Sequence, residues 1–286
     1  MASLKEIKTR IQSVKSTQKI TSAMKMVSSA KLRKAEKAIE NFYPYEEGLN
    51  RVLNNFLSEE EDIISTYAVA REVKRIAVVA ISSNSSLCGS FNANVIKRLT
   101  SYVQTYKALG QENILIYPIG KKVAKATVKL GFVPSGSFEA MIDKPTYAAA
   151  VELADELMTL FTNHEIDHVK IIYHHFKNKS SQVLTAETFL PIQLAPHVKG
   201  ASRLNYIVEP DRQTIMDQLI PRVLRLKIYT ALLDSTASEH AARTIAMQTA
   251  TDNANDLLQE LSLQYNKSRQ QAITNELLDI MGGLFK

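Results

Sequence analysis

The chain has 286 residues, of which 45% are apolar and 22% charged, and it carries a formal net charge of +6 at pH 7. Its single cysteine, Cys88, excludes an intramolecular disulfide and favours a reducing compartment. The longest apolar runs, such as residues 76–81, are too short to span a bilayer, and no apolar core of a secretory signal follows Met1. We therefore expect a soluble cytoplasmic protein with no direct membrane insertion.

The first 38 residues predict a long basic helix. They hold ten lysines and arginines against two glutamates, an excess larger than that of the whole chain. Ser3 with Glu6 three residues later is a helix-capping pattern. Leu4, Ile7, Ile11 and Val14 then follow the spacing of a coiled-coil seam. Small or polar residues come next, before the seam resumes at Met24 and Val27. The charge favours an acidic partner, and a solvated helix face is the alternative. Pro44 predicts a kink or an interruption before the helix continues.

The middle of the chain predicts an α/β domain. Its β-rich runs alternate with helical patterns near residues 92–108, 121–130 and 145–163, which favours a parallel or mixed, Rossmann-like sheet covered by helices. The β-rich runs are residues 75–82, 113–119, 168–176 and 182–192.

The last part of the chain predicts a second long helix. Asp211 is expected to be the N-cap, and Gly282 and Gly283 predict the stop. Between them a seam of small, hydroxylated and apolar residues, spaced alternately by four and three, runs from Leu219 through Thr244, Met247, Thr251, Ala254, Leu258 and Leu261 to Tyr265. A helix of this length, on the order of 100 Å, is too long to fold back into its own domain. The chain is thus expected to comprise residues 1–74, an α/β domain at 75–210 and residues 211–286, with the terminal helices paired as an antiparallel coiled coil.

The segment HEIDH at residues 164–168 matches the H-E-x-x-H motif of zinc proteases. That chemistry needs both histidines on one face of a continuous helix. Here the helical pattern ends near Asn163 and His168 opens a strand, so we expect a helix-to-strand turn and no zinc. His174 and His175 are adjacent on a strand and should point to opposite faces.

The junction at residues 83–97 connects the first strand to a helix, which is where nucleotide folds bind phosphate. It lacks both the G-x-G-x-x-G pattern and the ending of a P-loop. Cys88, in this junction, has no acid or histidine nearby in sequence, and we expect it to be structural. The basic first helix has no aromatic interleaving and no zinc spacing, so nucleic-acid binding is not expected.

Three stretches together resemble the gamma subunits of rotary F-type ATP synthases, in their bacterial form. They are SLKEIKTRIQSVKSTQKITSAMKMVSSAKLRKAE at 3–36, SSLCGSFNANVIK at 85–97, and SEHAARTIAMQTATDNANDLLQELSLQYNKSRQQAITNELLDIMGG at 238–283. The chain departs from the family pattern at Ser85-Ser86, Ser90 and Leu284.

The resemblance implies a non-catalytic central-stalk rotor subunit that couples proton-driven rotation of the c-ring to ATP synthesis at the beta subunits. It implies no cofactor, no metal and no catalytic residue. The implied partners are the alpha, beta and epsilon subunits and the membrane c-ring. The implied location is the cytoplasmic face of the cell membrane.

The resemblance also implies contact residues. Met24 and Lys25 match positions that face the beta loops, and Tyr206 and Glu209 match positions near the c-ring. Positions that bond the ring of alpha and beta subunits are matched by Arg243, Gln270, Thr274 and Glu276. Two other classes remain open: an α/β enzyme with coiled-coil extensions, and a free coiled-coil scaffold.

Overall fold

The computed structural model describes residues 4–59, 65–192, 209 and 211–284. Two long helices lie at the ends of the described chain, and an α/β region lies between them. The elements are α1 (Leu4–Glu59), β1 (Ile76–Ile81), α2 (Phe91–Thr105), β2 (Ile114–Ile119), α3 (Lys121–Lys129), α4 (Glu139–Asp143), α5 (Tyr147–Thr162), β3 (His168–Asn178), β4 (Ser181–Leu190) and α6 (Arg212–Leu284). Single-turn 3₁₀ helices cover Lys107–Leu109 and Gln111–Asn113. The predicted fold class is confirmed.

The chain divides into two compact units. The first contains residues 1–30 and 243–286, and the second contains residues 31–242. Both long helices contribute residues to each unit. The boundaries that we placed after residues 74 and 210 mark where the sequence pattern changes from helical to α/β and back, whereas the two units are defined by their compactness. The predicted boundaries therefore stay a prediction.

The sheet of the second unit is mixed, with the strand order β2-β1-β3-β4. β1 pairs in parallel with β2 and β3, and β3 pairs antiparallel with β4. All six residues of β1 are buried, as expected for a central strand that has neighbours on both edges and layers on both faces.

Helices cover both faces of the sheet. On one face Ala77, Val79 and Ile81 of β1 belong to a core that includes α5 and the parts of α1 and α6 in this unit. On the other face Ile76 and Val78 belong to a core that includes α2 and α3. Alternate residues of one strand thus serve two cores, because successive side chains of a strand point to opposite faces.

The start of α6 agrees with the sequence pattern. Asp211 accepts hydrogen bonds from the backbone N–H of Thr214 at 2.8 Å and from its hydroxyl at 2.7 Å. The backbone bond, followed by the hydroxyl bond, lowers the pKa of Asp211. The predicted N-cap is therefore confirmed, whereas the Ser3 cap that we expected for α1 lies outside the described residues.

Proline and glycine break the long helices less than expected. α1 runs through Pro44 without an interruption, and α6 runs through the Gly282-Gly283 pair to Leu284. Proline removes one backbone donor, but Tyr43 and Leu49 on either side of it pack against the buried clusters of the second unit. Tertiary packing therefore holds this part of α1 in helical form.

None of the helices in the described part of the chain combines the length and apolar character that a membrane span needs.

Candidate interaction surface

In the first unit, α1 and α6 lie antiparallel. The amide of Gln18 donates a hydrogen bond to Asn255 Oδ1 at 3.2 Å, and the Lys25 amine donates to Gln248 Oε1. Residue numbers rise along one helix as they fall along the other. The predicted antiparallel pairing is thus confirmed for this unit.

The centre of this pair is polar. The hydroxyls of Thr21 and Thr251 lie 2.8 Å apart, and both side chains are buried. Each hydroxyl also bonds to its own helix, Thr21 to the carbonyl of Gln18 and Thr251 to that of Met247. A pair of threonines buries less apolar surface than a pair of leucines and therefore stabilises the helix pair less, so the seam is a weak one for a free coiled coil.

The α6 seam follows the predicted register, whereas the α1 seam departs from it once. Val27 is 58% exposed, and Ser28 is buried instead. Ser28 lies two turns after Thr21 and therefore on the same helix face, while Val27 lies about 100° away from that direction. The predicted α6 seam residues are all buried or half-buried: Thr244, Met247, Thr251, Ala254, Leu258, Leu261 and Tyr265.

A second apolar strip on α1 lies beside the seam, roughly a quarter turn around the helix. Ile20 is 60% exposed and Val27 is nearly as exposed, with half-buried Met24 between them. Their spacing of four and three residues places them on one face. Exposed apolar side chains grouped on one helix face are typical of a surface that another protein covers.

Basic side chains are exposed on the same part of α1, in the turns that precede this strip. The part of α1 in the first unit has one acidic residue, Glu6. Its exposed basic residues are Lys5, Lys8, Arg10, Lys15 and Lys19. A surface of this composition favours an acidic protein partner that also covers apolar side chains.

The C-terminal end of α6 is also exposed. Gln270, Thr274 and Glu276 are all exposed, and the Thr274 hydroxyl donates to the carbonyl of Gln270 at 2.9 Å. Apolar side chains are exposed among them: Ile273, Leu277, Leu278, Ile280 and Met281. This end of α6 therefore exposes polar and apolar side chains together, as the first-unit part of α1 does.

The structure brings only some of the predicted contact residues together. Met24 and Lys25 are half-buried on the same turn of α1, with Lys25 bonded to α6. Arg243 is buried rather than displayed, at 8% exposure. Glu209 is exposed, and Tyr206 lies outside the described residues.

The HEIDH segment forms the expected helix-to-strand turn. α5 ends at Thr162, His164 has a left-handed φ of 61°, and His168 opens β3. The ring of His168 is bonded to the Tyr102 hydroxyl at 3.1 Å, and that of His164 contacts Arg71. Within the described ranges no three potential metal-binding side chains cluster.

The two adjacent histidines of β3, His174 and His175, point to opposite faces, as predicted. His174 is buried and stacks against Phe91 at the start of α2. His175 lies on the other face, where its Nδ1 lies 2.5 Å from Asp234 Oδ2 on α6. They cannot bind one ligand together.

Cys88 is buried in the loop between β1 and α2. Asn92 donates a hydrogen bond from Nδ2 to its sulfur at 3.1 Å, and the Ser83 hydroxyl lies 3.8 Å from the same sulfur. The loop also contains left-handed residues at Leu87 and Gly89. The thiol is thus part of the packing that shapes this loop.

Sequence reasoning missed Asp234, a buried carboxylate of α6 with partners on both α1 and β3. Its side chain is 1% exposed, and its Oδ1 accepts a hydrogen bond from the Tyr43 hydroxyl at 2.8 Å. A single aspartate within a helical pattern is usually solvated. The sequence around Asp234 therefore contains no signal of its burial.

Comparison with known proteins gives a consistent result. A family model described as ATP synthase matches residues 3–284. The chain is 58% identical to the ATP synthase gamma chain of Phocaeicola vulgatus over 286 residues, covering 99% of each chain. It is 44% identical to that of Flavobacterium johnsoniae, covering 99% of this chain and 98% of the relative.

Solved structures share the fold. The rotor of the Euglena gracilis mitochondrial ATP synthase contains a chain that is 19% identical, with a TM-score of 0.64, over 94% of this chain and 98% of that chain. The central stalk and c-ring structure of the Tetrahymena thermophila enzyme contains one that is 23% identical, with a TM-score of 0.60, over 81% and 99%.

Proposed function

The chain belongs to the ATP synthase gamma-chain family, and from this membership we propose that it is the central-stalk rotor subunit of a bacterial F-type synthase. Full-length identity of 58% to a gamma chain is the observation that carries the proposal. The paired long helices and the mixed sheet are the fold that such a subunit needs.

The rotor acts through contacts rather than through chemistry. The first unit stands inside a ring of three alpha and three beta subunits, and the beta subunits catalyse ATP synthesis. An asymmetric helix pair meets three chemically identical beta subunits differently, so their nucleotide affinities differ at any instant. Rotation exchanges these states, and the coupling free energy is the difference in contact free energy between orientations.

The α1 surface is suited to these contacts. Acidic loops of beta meet the lysines and arginines, and the strip of Ile20, Met24 and Val27 packs against apolar side chains of the ring. Lys25 is partly engaged with Gln248. Met24 is thus the more available of the two neighbouring contact residues.

The other predicted contacts divide by position. Gln270, Thr274 and Glu276 bond the ring near the end of α6. Arg243 also bonds the ring, from a largely buried position on α6. Glu209 and Tyr206 face the c-ring, and epsilon binds the α/β domain. The chain is therefore a peripheral subunit on the cytoplasmic face of the cell membrane.

The test is assembly. Alpha, beta and epsilon subunits of the same synthase are co-expressed with a tagged form of this chain, and the tag is used for purification. We expect one copy of the chain with each alpha–beta ring, together with epsilon, and ATP hydrolysis by the purified complex. Recovery of the chain alone or as a homodimer, while alpha and beta assemble without it, contradicts the proposal.

A further inference from the structure

Asp234 of α6 joins three segments of the second unit. Its buried carboxylate accepts the hydroxyl of Tyr43 from α1 at 2.8 Å and lies 2.5 Å from Nδ1 of His175 on β3. It also accepts a hydrogen bond from the backbone N–H of Phe176. One side chain therefore contacts both long helices and the sheet.

Two more polar residues tie the same face of α6 to the β3–β4 hairpin. The Ser238 hydroxyl donates to the carbonyl of His174 at 3.2 Å. The Lys227 amine donates to the carbonyl of Thr188 at 3.1 Å and lies 3.3 Å from a carboxylate oxygen of Glu187. Positions 227, 234 and 238 are separated by seven and four residues, so they share one helix face.

The apolar packing around Asp234 is partly made of small side chains. Ala237 and Ala241 of α6 are buried with Leu32 and Ile39 of α1. Such contacts have no preferred direction, because apolar burial depends on area rather than on angle. Hydrogen bonds to a carboxylate are directional, and they are lost when the donors shift by about an ångström.

A buried carboxylate is also a costly way to hold helices together. Its desolvation offsets much of what its hydrogen bonds contribute, and apolar replacements are often as stable. Asp234 is thus better suited to fixing geometry than to adding stability.

We propose that Asp234, with Lys227 and Ser238, forms a joint that fixes α6 both to α1 and to the β3–β4 hairpin against twisting. This inference rests on the proposed rotor function, since a rotor transmits torque between its sheet and its helices. The joint makes the second unit torsionally stiff, so that the helices turn through the same angle as the sheet.

The experiment measures stiffness in the assembled complex of alpha, beta, epsilon and this chain. The alpha–beta ring is immobilised, rotation is stalled with a non-hydrolysable nucleotide, and a gold nanorod is attached through Lys107→Cys on the surface of the α/β domain. The variance of the rod's angle is inversely proportional to torsional stiffness. A residue that affects only folding or assembly does not change this variance in complexes that have assembled.

The variants remove the bonds in steps. Asp234→Leu removes all three, and we expect the angular variance to rise about twofold, because directional charge-assisted bonds are lost together. Tyr43→Phe removes one bond and keeps the ring, and we expect a smaller rise. Tyr45→Phe, which removes a hydroxyl from an exposed ring two residues along α1, is the matched control and should match the natural chain.

The outcomes separate the two proposals. An assembled Asp234→Leu complex with unchanged variance overturns the joint and leaves the rotor function standing. If Asp234→Leu does not assemble, Tyr43→Phe decides: a variance equal to that of Tyr45→Phe overturns the joint, and a larger one supports it. Failure of the natural chain to assemble with alpha and beta contradicts the rotor function itself.

Discussion

The imidazole of His174 lies against the ring of Phe91, with the ring centroids 4.4 Å apart and the planes inclined by 24°. Both side chains are almost fully buried between β3 and the start of α2. Burial lowers the pKa of His174 to about 4, because the charged imidazolium loses its water. The stacked ring is therefore neutral at physiological pH.

This burial predicts a dependence of stability on pH. Between pH 6.5 and about 4 the unfolded chain binds a proton at His174 and the folded chain does not, so folding stability falls as pH falls. When the pH falls from 6.5 to 4.5, we expect the free energy of unfolding to fall in both proteins, and to fall by roughly 2–3 kcal/mol less in His174→Leu than in the natural chain. Urea unfolding at several pH values measures this, with exposed His164→Asn as the control. Equal losses in the natural chain and His174→Leu contradict the prediction.

Two glycines should respond oppositely to alanine. A Cβ on Gly120 would lie 2.2 Å from the backbone carbonyl oxygen of Ser82, and its φ is +99°. Gly48 lies within α1, where an added Cβ would meet no other side chain and no backbone outside the adjacent turns within 4 Å. We expect Gly120→Ala to lower the free energy of unfolding by about 2–4 kcal/mol, and Gly48→Ala to raise it by about 0.5–1 kcal/mol. Urea midpoints test both, and a stable Gly120→Ala protein would show that the loop relaxes.

Charge reversal on α1 should affect coupling more than folding. In the triple variant, Lys15, Lys19 and Lys25 are replaced by glutamate. Exposed charges contribute about 0–1 kcal/mol each to stability, whereas opposed charges across an interface cost several. We expect ATP-driven proton pumping by the assembled synthase to fall severalfold, while the α/β domain keeps its melting temperature.

A matched triple reversal on the α/β domain separates the α1 surface from net charge. This control variant carries Lys97→Glu, Lys107→Glu and Lys125→Glu, so it changes the net charge of the chain by the same amount. We expect the synthase that contains it to pump protons faster than the synthase with the α1 variant, at a rate close to that with the natural chain. Normal pumping by the α1 variant would exclude the electrostatic contact with beta.

Tethering α1 to the ring should stop multi-site turnover. Met24→Cys is paired with a cysteine on the adjoining beta loop, and Cys88 is buried and is not expected to interfere. Oxidation should abolish steady-state ATP hydrolysis and reduction should restore it, while nucleotide binding and slow single-site hydrolysis persist. A cross-link between this chain and epsilon is the control and should leave turnover intact, because both turn together. High-yield cross-linking to beta with full turnover would show that rotation past that loop is unnecessary.

The purified chain should contain no stoichiometric zinc. His164 and His168 lie in a helix-to-strand turn, with ring nitrogens contacting Arg71 and Tyr102. That geometry differs from the one-face arrangement of a zinc helix. Metal analysis of the natural chain and of His168→Ala measures this. One zinc per chain in the first and none in the second would refute the prediction.

The element types and the α6 seam followed from the sequence. Helix and strand periods are local properties of the chain, and the resulting runs agree with the structure to within a few residues. The short helix α4 was not predicted, because five residues are too few to show a helical period.

The sequence by itself determined the family, the two long helices, the mixed sheet and the basic face of α1, since each is written in consecutive residues. Only the tertiary structure decided that Asp234 is buried between Tyr43 and His175, and that Ser28 replaces Val27 in the seam. These depend on contacts between residues far apart in the chain. Such contacts follow from how helices pack on the sheet and on each other, which a local pattern of polar and apolar residues does not encode.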